Sequence, residues 1–232
     1  MAGKPLCVIP ARGGSKRLPR KNILPLNGKP LLAYTVEAAL KSGVFDEVFV
    51  STEDQEIAEI ARRFGASVPG LRPGSLATDK ATMADVCLDM IERVEKSGRK
   101  HHILYMLSPT CPLLLSRNIH EALVMFQQSD APSLLSVTDF DHPPFWALKK
   151  EEDGRLVPYW GNEYIRKTQE LPHVYRPNGA IAIANIAEFR RVRTFYGVGL
   201  AGYYMPRSQS IDIDDEFDFR LAECIIRSRD KH

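Results

Sequence analysis

Short apolar runs alternate with amphipathic stretches along residues 6–137 of the chain. Leu6–Ala11, Glu47–Ser51, Ile103–Leu107 and Ser133–Val137 have the length and composition of buried strands. Between them, Pro30–Ser42, Asp54–Phe64, Thr82–Ser97 and Ser116–Gln128 carry apolar residues at helical spacing. Val86, Met90 and Val94 form one stripe of the third of these helices. Gly43 and Gly65 follow the first two helices as C-terminal caps, and Asn27-Gly28 marks a turn. Strands alternating with helices of this length build βαβ units and a sheet covered on both faces. The fold predicted is therefore α/β, a Rossmann-like doubly wound, mostly parallel sheet. Such sheets bind ligands beyond the carboxyl ends of their strands, which directs attention to the loops after Ala11, Ser51 and Leu107.

The rhythm breaks between Asp139 and Tyr175. No long helical pattern occurs there, and Pro143-Pro144, Asp153-Gly154 and Trp160-Gly161 mark turns. Phe145, Trp146, Tyr159 and Trp160 are many large aromatics for an idle loop. Two readings stand: a β-hairpin folded over the sheet, or an arm burying its aromatics against a second subunit. Ala180–Ala184 and Gly202–Met205 then resume as strands, and Glu216–Arg227 as an amphipathic last helix. Residues 1–232 are read as one domain with 139–175 as a β-rich insertion.

Composition narrows the partners. Of 232 residues 44% are hydrophobic and 26% charged, the proportions of a globular chain. Thirty-one Lys+Arg against 29 Asp+Glu leave 31 − 29 = +2, which argues against nucleic acid or an anionic membrane as the main partner. No apolar run approaches the roughly 20 residues that span a bilayer, and residues 1–11 lack the apolar core of a leader. Cys7, Cys87, Cys111 and Cys224 are widely spaced, with no zinc or redox spacing. They suit a reducing compartment, so a cytoplasmic protein is expected.

Residues 9–22 read IPARGGSKRLPRKN and place Arg12, Lys16, Arg17, Arg20 and Lys21 in the loop after the first strand. Gly13-Gly14 lets backbone N–H groups approach a ligand, and a following helix N-terminus would add positive potential. Like charges at this density repel one another unless an anion lies among them, and a polyphosphate fits. A solvated basic surface loop is the plainer alternative. The chain has no Walker-type loop, no G-x-G-x-x-G and no G-x-S-x-G, and its six histidines show no ligand spacing.

Ser210–Asp218 reads SIDIDDEFD. If this stretch is extended, Ile211 and Ile213 face the core while Asp212 and Asp214 share the opposite face. Carboxylates two apart on a strand can share Mg2+, or Mn2+, whose remaining ligands come from phosphate and water. The alternative is that these acids decorate a helix N-terminus, which suits Asp215, Glu216 and Asp218.

Taken in order, IPARGGSKRLPRKN, NGKPLLAYTVEAAL, VSTED, LRPGSLATD, SPTCPLL, RPNGAIAI and SIDIDDEFD resemble the cytidylyltransferases for nine-carbon 2-keto sugar acids, the CMP-sialic acid synthetases and their legionaminic and pseudaminic relatives. The resemblance implies CTP and a 2-keto-3-deoxy sugar acid as substrates, with CMP-sugar and pyrophosphate as products. It implies nucleotide contacts from Arg12, Gly13, Gly14, Ser15, Lys16, Lys21, Asn22, Arg72 and Asp79. Arg12, Lys21 and Asp212 would be catalytic, and Asp212 and Asp214 would hold the metal. Ser108, Thr168, Arg176, Asn178, Phe195 and Tyr196 would face the sugar, and the 139–175 arm would build a homodimer. Ser108 and Thr168 depart from the Gln and Arg typical of the sialic acid enzymes, which favours a modified, still N-acylated nonulosonic acid. The eight-carbon Kdo branch is an alternative, although it usually has Pro-Gly-Lys-Pro where this chain has Pro19-Arg20-Lys21-Asn22. A sugar-1-phosphate nucleotidyltransferase and a non-catalytic nucleotide-sugar-binding module are the further alternatives.

Overall fold

The computed structural model describes residues 3–229; residues 1 and 2, the start of the segment inspected for a leader, lie outside them. Along the chain run β1 (Leu6–Pro10), β2 (Pro25–Leu26), β3 (Lys29–Pro30), α1 (Leu31–Lys41), β4 (Val48–Ser51), α2 (Gln55–Arg63), α3 (Met83–Lys96) and β5 (Ile103–Leu107). Then come α4 (Ser116–Gln128), β6 (Ser133–Asp139), β7 (Leu148–Lys150), β8 (Leu156–Pro158), β9 (Tyr175–Asn185), α5 (Ile186–Val192), β10 (Ala201–Tyr204) and α6 (Glu216–Arg229). The central sheet has the order β10-β6-β9-β5-β1-β4. Its members pair in parallel except β9, which runs antiparallel to both β5 and β6. The mostly parallel α/β sheet expected from the alternation is present.

Helices cover both faces of the sheet. Cys7, Ile9, Val50, Tyr105 and Ile183 meet Val36 of α1, Ile57 of α2 and Ile119 of α4 in one core. Leu6, Val8, Leu104 and Ala182 meet Met90 and Val94 of α3 and Phe189 of α5 in the other. A third, smaller cluster joins Leu26, Leu31 and Leu113 to Ile213 and to Ala222 and Ile226 of α6. It anchors the 211–214 segment beside the first loop. Although 211–214 forms no strand, burial of Ile213 and partial burial of Ile211 leave Asp212 and Asp214 on the open side, the alternation expected of an extended stretch.

Local chemistry sets the helix starts. Thr82 accepts the Asp85 N–H at 3.2 Å while the Asp85 carboxylate accepts the Thr82 N–H at 2.9 Å, a reciprocal cap for α3. Asp215 and Asp218 do the same for α6, at 3.1 and 3.3 Å. Asp54 caps α2 through the Ile57 N–H.

Three details differ from expectation. The basic loop leads into a single 3-10 turn, Lys21–Ile23, and the β2–β3 hairpin, so no α-helix N-terminus directly follows it. β9 is 11 residues long, far beyond the Ala180–Ala184 core, because it pairs with β5 along one end and with β6 along its whole length. Residues 186–192 form α5, a short helix capped by Asn185. The 139–175 insertion contains the β7–β8 hairpin and three 3-10 turns.

Candidate functional site

A cleft of roughly 730 Å3 opens at the carboxyl ends of β1, β5 and β6. The basic loop and the 211–214 segment, joined by the Arg17–Asp214 and Lys21–Asp214 ion pairs, both line it. Arg12, Ser15, Lys16, Lys21, Asn22, Arg72, Ser108, Phe195, Tyr196, Asp212 and Asp214 all line it. Residues separated by up to 200 positions thus converge because the loops after β1 and β5 and the chain before α6 leave the same edge.

The cations are held open by carboxylates. Asp79 accepts from Arg12 at 3.0 Å and from Lys16 at 2.5 Å. Hydrogen bonds from Lys16 and then Arg12 keep its carboxyl below the usual range. Asp214 takes Arg17 at 2.9 Å and Lys21 at 3.2 Å. Lys21 is largely buried, and its ammonium also donates to the Ile213 carbonyl. Arg20 leaves the cleft: in the left-handed region, with φ 57°, it pairs with Asp54 and Glu56 at the start of α2.

Glu53 organises the base of the loop. One of its oxygens accepts the Gly13 N–H at 2.7 Å, and the other accepts Arg72 Nε at 3.1 Å and Nη2 at 2.7 Å. The Gly13 N–H expected to meet a ligand is therefore engaged by protein. Gly13 is needed for another reason: a Cβ there would lie 2.6 Å from Asp54 Oδ2. Asn22 donates to the Arg12 carbonyl at 2.8 Å, and its Oδ1 is buried without a partner.

Asp212 reaches the water of the cleft, yet protein surrounds most of it. Desolvation pushes its carboxyl up, the Thr110 hydrogen bond opposes this, and the charge of Asp214 adds to the rise. Its Oδ1 accepts from Thr110, while Oδ2 lies 2.9 Å from where a Cβ of Gly179 would stand. Gly179, at φ +77°, leaves that oxygen uncovered.

Three sequence-predicted sugar contacts lie elsewhere. Along β9, Pro177 and Gly179 line the cleft, whereas their neighbours Arg176 and Asn178 do not. Asn178 is 2% exposed and fully engaged: it accepts from Ser136 at 2.5 Å and donates to Ser210 at 2.8 Å. Thr168 lies in an exposed 3-10 turn of the arm. Of the predicted nucleotide contacts, Gly13, Gly14 and Asp79 are not among the residues that line the cleft. Glu53 and Thr110 were not singled out from sequence, although they occur in VSTED and SPTCPLL at the ends of β4 and β5, where ligand loops are expected.

The far half of the cleft is apolar. Met106 of β5, Ala182 of β9 and Leu135 of β6 sit side by side in register on one sheet face. Met83 and Val86 of α3 and Phe195 close over this row.

Among the described residues, no cluster of three or more His, Cys, Asp or Glu suits a metal ion, and no helix is long and apolar enough to cross a membrane. The donor set that does fit is the pair Asp212 and Asp214. Both are hard oxygen ligands, and both line the cleft beside the cations of the basic loop.

The cytidylyltransferase family model matches residues 6–180. The chain is 33% identical over 224 residues to the pseudaminic acid cytidylyltransferase of Campylobacter jejuni, covering 97% of both chains. It is 36% identical over 223 residues to the CMP-N,N'-diacetyllegionaminic acid synthase of Legionella pneumophila, covering 95% of each. With the N-acylneuraminate cytidylyltransferase of Escherichia coli O18:K1:H7 it shares 34% over 231 residues, all of this chain but 54% of that one. A CMP:2-keto-3-deoxy-manno-octonic acid synthetase solved with CTP superposes with a TM-score of 0.71 at 17% identity, over 98% of this chain and 100% of that one, a likeness of fold. The chain belongs to the cytidylyltransferase family.

Proposed function

We propose that this protein transfers CMP from CTP to a nine-carbon 2-keto-3-deoxy sugar acid, releasing pyrophosphate. The observation that carries this is the gathering of Arg12, Lys16 and Lys21 with Asp212 and Asp214 around one cleft. The relatives' names give the substrate class: pseudaminic, legionaminic and N-acylneuraminic acids.

The hydroxyl of the sugar acid attacks the α-phosphorus in line, so the protein's work is positioning and charge stabilisation. Arg12, Lys16 and Lys21 bind the triphosphate and stabilise the departing pyrophosphate. The carboxylates now on these cations, Asp79 and Asp214, mark where phosphate oxygens would be held. Asn22 and Arg72 hold the cytidine end, with Glu53 fixing the Arg72 guanidinium. Asp212 and Asp214 would hold a divalent cation, Mg2+ by preference. Such an ion, when bound, supplies Lewis-acid polarisation of the α-phosphate and lowers the pKa of the attacking hydroxyl.

The apolar row Met106–Ala182–Leu135 under Phe195 suits an N-acyl methyl or a deoxygenated carbon better than a hydroxylated chain. With Ser108 in place of a long amide, a legionaminic-type acid is favoured over N-acetylneuraminic acid. The exposed Leu148, Leu156, Trp160 and Ile165 of the 139–175 arm supply the contact of a homodimer. Cys7, Cys87, Cys111 and Cys224 are free thiols, in keeping with work in the cytoplasm.

Mass spectrometry of the products tests the assignment. Incubation with CTP, Mg2+ and a di-N-acetylated nonulosonic acid yields the CMP-sugar. Unchanged CTP with every nine-carbon acid, but turnover with the eight-carbon acid, would move the protein to the Kdo branch.

A further inference from the structure

Ser108, Thr110 and Asp212 form a chain of hydrogen bonds at the corner where the loop after β5 meets the 211–214 segment. Ser108 Oγ and Thr110 Oγ1 are 2.7 Å apart, and Thr110 Oγ1 donates to Asp212 Oδ1. The two segments are also joined by backbone, since the Ile213 N–H donates to the Thr110 carbonyl at 2.9 Å. Ser108 is fixed in turn by its N–H to the Ala180 carbonyl at 3.2 Å and by the Thr35 hydroxyl on its own carbonyl at 2.9 Å.

We propose that Thr110 is a positioning residue that turns Asp212 Oδ2 toward the cleft and makes Ser108 a pure acceptor toward the sugar acid. The argument is one of proton counting. A threonine hydroxyl has a single proton. Thr110 Oγ1 donates to Asp212 Oδ1, so its one proton is spent there. The proton in the 2.7 Å contact must then come from Ser108. Ser108 lines the cleft with its proton already committed inward, so what it offers a ligand is a lone pair. Its oxygen also takes the Thr110 N–H at a long 3.4 Å, so it meets a ligand as an acceptor.

Two consequences follow. Position 108 takes a hydroxyl or an amide N–H of the sugar and repels its carboxylate, whereas a glutamine there could donate. Thr110 also selects the working oxygen of Asp212: it ties Oδ1, and Gly179 leaves Oδ2 open. Thr110 is 9% exposed, so water competes poorly for its hydroxyl. The proposal rests on the function given above, because it names Asp212 as a cation ligand and the cleft as the sugar site.

The test compares Thr110→Val, which keeps the shape and removes the hydroxyl, with Thr110→Ser, which restores it. Mn2+ affinity is read from the EPR signal of the free ion, with and without CTP, and kcat and KM from pyrophosphate release. Thr110→Val weakens Mn2+ binding several-fold and lowers kcat by about tenfold, the scale of one charged hydrogen bond. Thr110→Ser recovers most of both. Ser108→Ala raises KM for the sugar acid and leaves KM for CTP unchanged. Wild-type Mn2+ affinity in Thr110→Val, or equal defects in the Val and Ser variants at equal Tm, would overturn the proposal. If the wild-type protein released no pyrophosphate with any sugar acid, the function would fail, while the Mn2+ comparison would still decide the role of Thr110.

Discussion

The ammonium of Lys21 stands 3.2 Å from Asp214 Oδ1 and also donates to the carbonyl of Ile213. One side chain of the basic loop thus clasps the acidic segment from 192 residues away in sequence. In the proposed reaction this contact is exchanged, at least in part, for phosphate.

Lys21→Ala therefore weakens two things at once, CTP binding and the seating of the 211–214 segment. An ionised phosphate contact contributes about 1.5–3 kcal/mol, so kcat/KM for CTP falls about ten- to a hundredfold. Steady-state titration of CTP checks this. An unchanged curve would return Lys21 to a structural clasp.

Asp212→Asn and Asp214→Asn each lower turnover by orders of magnitude while Tm stays near that of the wild type. The reason is their place on the open side of an anchored segment, with Ile213 as the buried partner. Chelator abolishes activity and Mg2+ restores it. Near-native turnover of either variant at saturating Mg2+ would remove that carboxylate from the mechanism.

Asn178→Ala loses stability first. Its amide joins Ser136 of β6 to Ser210, and truncation removes one hydrogen bond from each hydroxyl and opens a small cavity. A cost of about 2–4 kcal/mol is expected from denaturant melts. KM for the sugar acid, measured on the folded fraction, stays within about twofold, well under the tenfold that 1.4 kcal/mol would cause. A stable variant with a raised sugar KM would restore Asn178 to the sugar site.

Acid loosens the loop through Asp54. Burial alone would raise its pKa, but the Arg20 hydrogen bond and the Ile57 N–H outweigh it and hold the carboxyl below the ordinary range. A carboxyl depressed on folding stabilises the native state above the unfolded pKa, about 3.9, and the gain is lost as pH falls through the lower, folded value. Asp54→Ala accordingly costs about 1 kcal/mol at neutral pH, the scale of a helix cap. The difference from wild type shrinks as pH drops below about 4 in parallel urea melts. A difference independent of pH would place the effect in packing.

The arm predicts association. Trp146 and Trp160 satisfy their indole N–H groups within the arm, on the Arg166 and Pro144 carbonyls, while Leu156 is 62% exposed. Light scattering at micromolar concentration gives twice the 26.1 kDa chain mass, and Leu156→Glu shifts it toward monomer. A monomer in the wild type would leave the arm as a solvent-facing hairpin.

Much of this architecture was legible in sequence because the helices are long, amphipathic and capped. α5 was not, since seven residues give less than two full turns for a period to register. The antiparallel sense of β9 was not legible either, because an apolar run such as Ala180–Ala184 carries no direction. At the site, charge density marked Arg12, Lys16, Lys21, Asp212 and Asp214. Which polar residue faces the cleft and which braces it, as with Asn178 against Thr110, depends on a strand's phase relative to the sheet. Phase at a bulged strand such as β6–β9 is fixed by tertiary pairing.

The central claim is tested most directly by pyrophosphate release with CTP, UTP, ATP and GTP, each crossed with a legionaminic-type acid, N-acetylneuraminic acid and the eight-carbon Kdo, in Mg2+. The account predicts rapid release only with CTP and a nine-carbon acid, with the larger kcat/KM for the legionaminic-type sugar. Release with another nucleotide, or none with CTP and any of the sugar acids, would contradict it.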